Sequence, residues 1–226
     1  MFTHIKQLLA RQAPAKQTRK PEVNPVKILH IDSSILGPYS VSRVLSADIV
    51  KRQVAAHPNA TVIYRDLASE PTLHLSPAHM AVFQGGAPAD ETLGADLATG
   101  GSLIDELIAA DIVVIGAPMY NFSVPSQLKA WIDRVCVAGR TFQYGANGPE
   151  GLLPASKKVF IASSRGGVYT GDSPAAALEH HESYLRSVLT LIGLTDVTVI
   201  RAEGVNLSEE AKAAAVAKAK AEIAAL

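Results

Sequence analysis

Short apolar runs alternate with stretches of helical periodicity along most of the chain. Residues 26–32 are predicted to form a first strand, residues 40–56 a helix with its apolar positions on one side, and residues 61–66 a second strand. The run at 112–117 is apolar on both faces, which is typical of a central parallel strand covered on both sides. The pattern therefore indicates a parallel sheet whose strands are connected by helices.

The alternation continues toward the C-terminal end. After a predicted helix at 126–137, strands are expected at 158–162 and 197–200, with helices at 174–192 and 208–225. Strand and helix thus alternate five times. This predicts an α/β fold, with a doubly wound five-stranded parallel sheet in a three-layer α/β/α arrangement.

Two stretches have weaker patterns. Residues 68–100 are rich in Pro, Gly, Ala and Thr, with a short helical candidate at 77–84, and a clear helical pattern begins only at 103–110. We expect residues 68–100 to line or cover a binding pocket. Residues 139–156 have no clear periodicity and are predicted to form a long loop.

The composition is that of a globular protein with a core. Of the 226 residues, 48% are hydrophobic and 19% are charged, and no apolar run is long enough to span a membrane. The formal net charge is zero, but residues 1–25 hold five basic residues and one acidic residue, which leaves residues 26–226 with a balance of −4. The main part of the chain therefore has no basic footprint for nucleic acid.

Residues 1–25 are interpreted as a basic extension that precedes a single domain at 26–226. Three interpretations stay open for the extension: a flexible segment, a targeting peptide, or an arm that contacts a partner subunit. The single cysteine, Cys136, excludes an internal disulfide and is interpreted as core packing. We expect a cytoplasmic protein, since the cytoplasm is the usual compartment of chains without disulfides.

Three segments of unusual composition directly follow predicted strands, at 33–42, 118–122 and 163–169. The carboxyl ends of parallel strands lie at one edge of a sheet, and ligands bind beyond that edge, near the switch in strand order. We therefore expect the three segments to meet at one rim of the sheet.

The first segment, SSILGPYSVS at 33–42, is dominated by hydroxyl groups. It joins a strand to a helix, so its serine hydroxyls and the free N–H groups at the helix start can hold a phosphate without Arg or Lys. It contains neither the GxxxxGK[ST] pattern nor the GxGxxG pattern of nucleotide-binding loops. Ordinary capping and turn formation explain the same serines equally well.

The other two segments suit a flat ligand. Residues 119–122, Met-Tyr-Asn-Phe, combine rings that can pack against a heteroaromatic system with an amide that can hydrogen-bond its nitrogens and carbonyls. Core packing at a strand end is the alternative, although a β–α loop is a poor place for so many buried side chains. The Gly166–Gly167 pair lets the backbone approach a flat ligand closely, or else forms a flexible turn.

Together these segments resemble the FMN-dependent NADH-azoreductase family, whose members are flavodoxin-like homodimers that are also related to quinone reductases. The resemblance is carried by SSILGPYSVS, APMYNFSVPSQLKAWID, TFQYGANGPEGL and SSRGGVY, and with IGLTDVTVIRAEG it covers residues 26–226. It implies a flavodoxin-like fold with one bound FMN per subunit. It also implies a homodimer with the flavin at the interface, and NADH or NADPH as co-substrate.

The resemblance also implies which residues hold the flavin. The phosphate would be bound by Ser34, Ser40, Val41 and Ser42. The isoalloxazine would be lined by Met119, Tyr120, Asn121 and Phe122. The pyrimidine side of the ring would meet Ser164, Arg165, Gly166 and Gly167. Tyr169 stands where some relatives have His, so no imidazole is expected at that position.

The reaction implied by the resemblance is ping-pong hydride transfer through the flavin. A quinone needs two electrons and one cycle, whereas an azo compound needs four electrons and two cycles. No catalytic side chain and no metal site are expected, since the flavin carries the chemistry. Three alternatives stay open: a quinone reductase with incidental azo activity, a flavodoxin-like electron carrier, and a non-enzymatic FMN-binding module.

Two pairs of polar residues receive structural interpretations. His30 and Asp32 lie two positions apart on the first strand and could act as an acid–base pair, but they are interpreted as a satisfied buried polar pair or as residues at a strand end. His180 and His181 are predicted to lie on a solvated or interfacial helix face, because no third metal ligand can be assigned to them.

Overall fold

The computed structural model describes residues 24–226, so the prediction for the basic extension 1–25 lies almost entirely outside the described residues. The strands are β1 (Lys27–Asp32), β2 (Thr61–Asp66), β3 (Ile112–Pro118), β4 (Phe142–Gly145), β5 (Gly148–Gly151), β6 (Lys158–Ser164) and β7 (Asp196–Ala202). The helices are α1 (Val41–Ala56), α2 (Pro77–Phe83), α3 (Glu91–Ala109), α4 (Ser126–Val135), α5 (Glu182–Leu191) and α6 (Glu209–Ala224).

Five of the strands form one parallel sheet in the order β2-β1-β3-β6-β7. This confirms the predicted doubly wound five-stranded sheet. Strand β3 lies at the centre and is buried along its whole length, as expected for a strand covered on both faces. The strand order reverses between β1 and β3, and this switch point is where such sheets form a ligand crevice.

Successive side chains of each strand point to opposite faces, and each face has its own apolar core. On one face, Leu29, Val113 and Ile161 lie in a core with Leu107 of α3 and Trp131 of α4. The other face buries a second cluster beneath α1 and α6, made of Ile28, Leu45, Ile49, Val114, Phe160, Ala162, Ile200, Ala219 and Ile223. The three-layer arrangement is therefore confirmed.

Three parts of the sequence prediction differ from the structure. Helix α3 begins at Glu91, capped by Asp90, and therefore starts well before residue 103, where the sequence predicts the first clear helical pattern. Within the predicted loop 139–156, β4 and β5 form an antiparallel hairpin. The predicted helix 174–192 is helical as α5 only from Glu182, because a short 3-10 turn and an extended residue precede it.

No helix within residues 24–226 combines the length and the apolar character needed to cross a membrane.

Candidate functional site

The three segments predicted to share a rim do meet there. Ser33, at the end of β1, donates to the carbonyl oxygen of Gly116 through both its backbone N–H at 3.2 Å and its hydroxyl at 2.8 Å. At the end of β3, the N–H of Met119 donates to the carbonyl oxygen of Ser164 at 2.8 Å. The loops after β1, β3 and β6 therefore form one continuous surface at the carboxyl edge of the sheet.

The serine-rich loop after β1 has the features of a phosphate site. Ser40 caps α1, since its hydroxyl accepts from the N–H of Arg43 at 3.3 Å, and it lies 3.0 Å from the hydroxyl of Ser42. Within the described residues, no acceptor is assigned to the N–H groups of Val41 and Ser42 in the first turn of the helix. Free donors at the positive end of a helix dipole, beside clustered hydroxyls, fit the phosphate of FMN.

Tyr120 joins the serine-rich loop to the loop after β3. Its phenolic oxygen lies 3.2 Å from the hydroxyl of Ser34, and it accepts from the N–H of Ile35, also at 3.2 Å. Ser34 is buried, whereas Tyr120 is partly exposed. Ser34, which is predicted to bind the phosphate, and Tyr120, which is predicted to line the ring, are therefore in direct contact.

Residues 120–123 form a tight turn with a strained conformation. The N–H of Tyr120 donates to the carbonyl oxygen of Ser123 at 2.9 Å, and the reverse bond measures 3.0 Å. Asn121 and Phe122 both have positive φ, 48° and 71°, which is the pattern of a type I′ turn. Phenylalanine is unfavourable in the left-handed region, where glycine is usual, so this turn stores strain at the rim.

The side chain of Phe122 does not pack in the apolar core. Its side chain is 40% exposed, and its ring makes an edge contact with Tyr169 at 6.1 Å between centroids. The strained turn therefore presents an aromatic ring at the rim, next to the loop after β6. That placement suits a flat ligand better than the alternative of core filler at a strand end.

The diglycine loop offers backbone donors. The carbonyl oxygens of Gly166 and Gly167 accept from the N–H groups of Asn206 and Gly204, which fixes the loop against the segment after β7. Within the described residues, no acceptor is assigned to the N–H groups of the two glycines themselves. Such a loop fits the carbonyls and nitrogens of a flavin ring, as the sequence predicts for Gly166 and Gly167.

The side chain of Arg165 faces inward rather than toward the rim. Its guanidinium is fully buried and is surrounded by the carboxylates of Glu179, Glu182 and Glu203, all three from elements that come later in the sequence. The Nη1–Glu203 distance is 3.1 Å and the Nη2–Glu179 distance is 3.3 Å. The structure thus gives this side chain the role of anchoring the loop, and any contact of Arg165 with the flavin stays a prediction.

Glu179 connects two of the rim loops. Its carboxylate accepts from the backbone N–H groups of His181, Glu182 and Ser183, the start of α5. Burial alone would raise the pKa of Glu179, but these donors and Arg165 together lower it. The next residue, His180, donates its N–H to the carbonyl oxygen of Phe122 at 3.1 Å. Arg165 therefore holds Glu179, and the adjacent His180 holds the strained turn through the carbonyl oxygen of Phe122.

The prediction that His180 and His181 lie on a solvated or interfacial helix face is wrong for His181, although His180 is exposed. The side chain of His181 is fully buried, and neither ring nitrogen has a hydrogen-bond partner within the described residues. Burial, assisted by the nearby charge of Arg165, lowers the pKa of His181 to about 4, so the ring is neutral at physiological pH. The helix does not extend back over this position, since a 3-10 turn and the extended residue Glu179 precede α5 and the N–H of His180 donates to the carbonyl oxygen of Phe122.

A polar network lies beside the serine-rich loop and confirms the interpretation of His30 and Asp32 as a satisfied buried pair. The hydroxyl of Ser46 donates to Asp32 at 2.8 Å and lies 3.0 Å from Nε2 of His30. Tyr64 donates its hydroxyl to the other carboxylate oxygen of Asp32 at 3.1 Å. Both members of the pair are buried and both have partners, so neither is free to act as an acid or a base at the rim.

Asp66 gives a testable pH dependence. The hydrogen bond from Arg43 lowers the pKa of Asp66 from 3.8 to about 2, against the opposing effect of burial. Replacing Asp66 by Asn should therefore lower the free energy of unfolding at pH 7 by about 1–2 kcal/mol. Because folding lowers this pKa, the difference from the wild type should shrink as the pH falls from 3.8 toward 2. Urea unfolding across that range measures it, and a difference that does not change with pH would contradict this account.

Cys136 follows α4 and is partly buried against the core, as the sequence predicts. Burial raises the pKa of the thiol to about 11, so it is protonated and unreactive at neutral pH. We expect Cys136→Ala to retain the quinone reduction that the resemblance implies within about twofold, because trimming a small side chain at the edge of the core disturbs its neighbours little. A larger loss of kcat, measured on protein that melts normally, would show that the thiol takes part in the reaction.

The sequence analysis did not predict a role for four residues whose side chains hold the rim loops through hydrogen bonds. They are Arg43, Asp66, Glu179 and Glu203. Only Arg43 had a signal in the sequence, since it directly follows the serine-rich segment. The glutamates come from elements that lie far along the chain from the loops they hold.

Comparison with known proteins agrees with this geometry. A family model described as a flavodoxin-like fold matches residues 26–226. The FMN-dependent NADH:quinone oxidoreductase 2 of Bradyrhizobium diazoefficiens is 57% identical over 194 residues, which are 86% of this chain and 95% of that protein. The FMN-dependent NADH:quinone oxidoreductase of Sinorhizobium fredii is 53% identical over 199 residues, which are 88% and 96% of the two chains.

Among solved structures, an azoreductase from Bacillus anthracis str. Sterne superposes with a TM-score of 0.76 at 28% identity, covering 89% of this chain and all of that one. The sequence matches and the fold thus agree with each other. The chain belongs to the flavodoxin-like family of FMN-dependent NADH:quinone oxidoreductases and azoreductases.

Proposed function

We propose that this chain is an FMN-dependent oxidoreductase that takes a hydride from NADH or NADPH and reduces quinones with two electrons, or azo compounds with four in two cycles. The observation that carries the proposal is the meeting of three loops at one rim, where the serine-rich loop and the aromatic turn are linked through Ser34 and Tyr120. The relatives named as NADH:quinone oxidoreductases support the same activity.

Each part of the rim has a separate task in this proposal. The N–H groups of Val41 and Ser42, with the hydroxyls of Ser34 and Ser40, bind the phosphate and fix the position of the cofactor. The turn at 119–122 and the backbone of Gly166–Gly167 orient the ring and exclude water from one of its faces. When bound, FMN supplies hydride acceptance and donation, so the chain needs no side-chain nucleophile. One shared place for donor and acceptor gives ping-pong kinetics.

A homodimer with the flavin at its interface is part of the proposal. Large apolar side chains beside the rim are exposed in the single chain, with Tyr39 86%, Ile35 62% and Val168 43% accessible. Exposed apolar surface of this kind favours cover by another protein surface. Sedimentation of the purified protein should give twice the mass of the chain. We further propose that the enzyme acts in the cytoplasm on small-molecule acceptors.

Anaerobic spectroscopy tests the activity. Purified protein loaded with FMN should show a flavin absorption band that bleaches on addition of NADH and returns on addition of a benzoquinone. An electron carrier would hold the flavin without accepting a hydride from NADH at a catalytic rate, and a binding module would show no bleaching. Either result would contradict the proposed activity. Comparing kcat/KM for benzoquinones and azo dyes then establishes which acceptor class is preferred.

A further inference from the structure

Arg43 occupies an unusual position for a residue next to a phosphate site. It is the third residue of α1, in the first turn of the helix. Its guanidinium nevertheless extends to the start of the serine-rich loop, where Nε and Nη2 donate to the carbonyl oxygen of Ser34 at 3.1 and 2.7 Å. The side chain thus holds the loop through its backbone.

The rest of the guanidinium is engaged by β2. Nη1 donates to Asp66 at 2.8 Å and to the hydroxyl of Tyr64 at 3.0 Å, while Nη2 donates to the second oxygen of Asp66 at 2.6 Å. Together with the two bonds to Ser34, these contacts use all five N–H donors of the guanidinium. No donor is left over for a phosphate, so the side chain is not placed as a direct ligand.

The other hydrogen bonds of the loop run to Gly116, to Tyr120 and within the loop itself. In the single chain Ile35, Leu36 and Tyr39 are 62%, 54% and 86% exposed, so within one subunit their packing contributes little to the shape of the loop. Gly37 adds a left-handed residue with φ of 53°. A loop held mainly by hydrogen bonds at its ends would lose much of its order without them, and ordering it again on binding would reduce affinity.

We infer that Arg43 is a positioning residue that fixes Ser34, and with it the phosphate-binding loop, so that the site prefers FMN over riboflavin. This inference rests on the proposed function. Ser34 is the link, because its carbonyl oxygen is held by Arg43 while its hydroxyl is one of those proposed to bind the phosphate. Without Arg43 the loop is no longer held in one conformation, so binding of the phosphate is weakened while binding of the ring is not.

Titration of the apoprotein with FMN and with riboflavin tests the inference. For Arg43→Gln we expect FMN affinity to fall by about tenfold or more, since charge-assisted hydrogen bonds are lost. Riboflavin affinity should stay within about twofold, because riboflavin has no phosphate to place. The matched control is Arg65→Gln, which removes the same charge from an arginine that forms its own carboxylate pair with Glu106 and does not contact the loop. The control should keep the wild-type preference for FMN.

The Arg43→Lys variant tests whether the preference for FMN depends on the geometry of the guanidinium or only on its positive charge. Lysine keeps the positive charge opposite Asp66 and should fold, but it cannot reproduce the planar fork that reaches both Ser34 and Asp66. We therefore expect Arg43→Lys to lose most of the FMN preference as well. Thermal melting of each apoprotein shows that the variants compared are folded.

Two results would overturn the inference alone: wild-type preference for FMN in folded Arg43→Gln, or full restoration of that preference by Arg43→Lys, which would make the charge itself the cause. A wild-type protein that binds neither flavin would instead overturn the proposed function, and the inference with it. The two failures are therefore distinguishable in one set of titrations.

Discussion

Replacing Val41 by proline is expected to lower the affinity for FMN by about 10- to 100-fold while the fold is kept, because one hydrogen bond to a charged phosphate is removed. Val41 is the first residue of α1, and its N–H has no assigned acceptor within the described residues. Proline is well tolerated at this helix position. The preceding Ser40 already has an extended backbone, with φ of −80° and ψ of 122°, as a residue before proline requires.

The measurement is fluorescence titration of the apoprotein with FMN and riboflavin, together with a thermal melt. The matched control is Glu209→Pro, at the first position of α6, which is also preceded by an extended serine cap. It should bind FMN as the wild type does. Unchanged FMN affinity in folded Val41→Pro would show that this N–H does not hold the phosphate.

Replacing Gly116 by alanine is expected to lower the free energy of unfolding by about 2–4 kcal/mol, through overpacking and the loss of buried hydrogen bonds. Gly116 lies in the buried central strand, next to Asp32 in the register. An added Cβ would overlap Oδ1 of Asp32 and lie 3.2 Å from the hydroxyl of Ser46. The carboxylate is short and held by two hydroxyls, so it cannot move aside without breaking its bonds.

Chemical unfolding with Gly101→Ala as the control measures this effect. Gly101 lies inside α3, and a Cβ there would meet nothing within 4 Å. This control should stabilise the protein by about 0.5–1 kcal/mol, since alanine favours the helix. Replacement of glycine by alanine is thus expected to lower the free energy of unfolding at position 116 and to raise it at position 101. A neutral Gly116→Ala would mean that the network beside the serine-rich loop is adaptable.

The sequence was informative about the sheet and the rim because both depend on local patterns. Apolar runs placed β1, β2 and β3 almost to the residue, and the parallel arrangement then required their carboxyl ends to share an edge. Ser40 was recognisable as a helix start, since its side chain can cap the first turn. The meeting of the three loops could therefore be predicted without any knowledge of tertiary contacts.

The sequence contains signals for α3 and for the β4–β5 hairpin, but nearby glycine and proline residues weaken the helix and strand patterns there. The start of α3 is marked by Asp90 as cap and Glu91 in the first turn, but Gly94, Gly100 and Gly101 lower the helical propensity of the next ten residues. Burial of one face of α3 against β1 and α4 outweighs that propensity. In the hairpin of β4 and β5 the turn is Ala146–Asn147, and the Asn147–Gly148 pair at its end gives a turn signal, but each strand has only four residues.

The orientation of Arg165 could not be predicted from its neighbours in the sequence. Beside two glycines at a strand end, an arginine suggests a ligand contact. Its actual partners, Glu179, Glu182 and Glu203, lie 14 or more positions further along the chain. Burial of a guanidinium requires carboxylates to surround it, and only the tertiary fold brings them together.

The central claim is that the loops after β1, β3 and β6 form one FMN site. Hydrogen exchange of the backbone amides, measured for the apoprotein and the FMN-loaded protein, tests it most directly. We predict that FMN slows exchange in residues 33–42, 118–123 and 163–169 together, with Val41, Ser42, Gly166 and Gly167 among the protected amides. Protection confined to another edge of the sheet, or the absence of any protection in these three loops, would contradict the account.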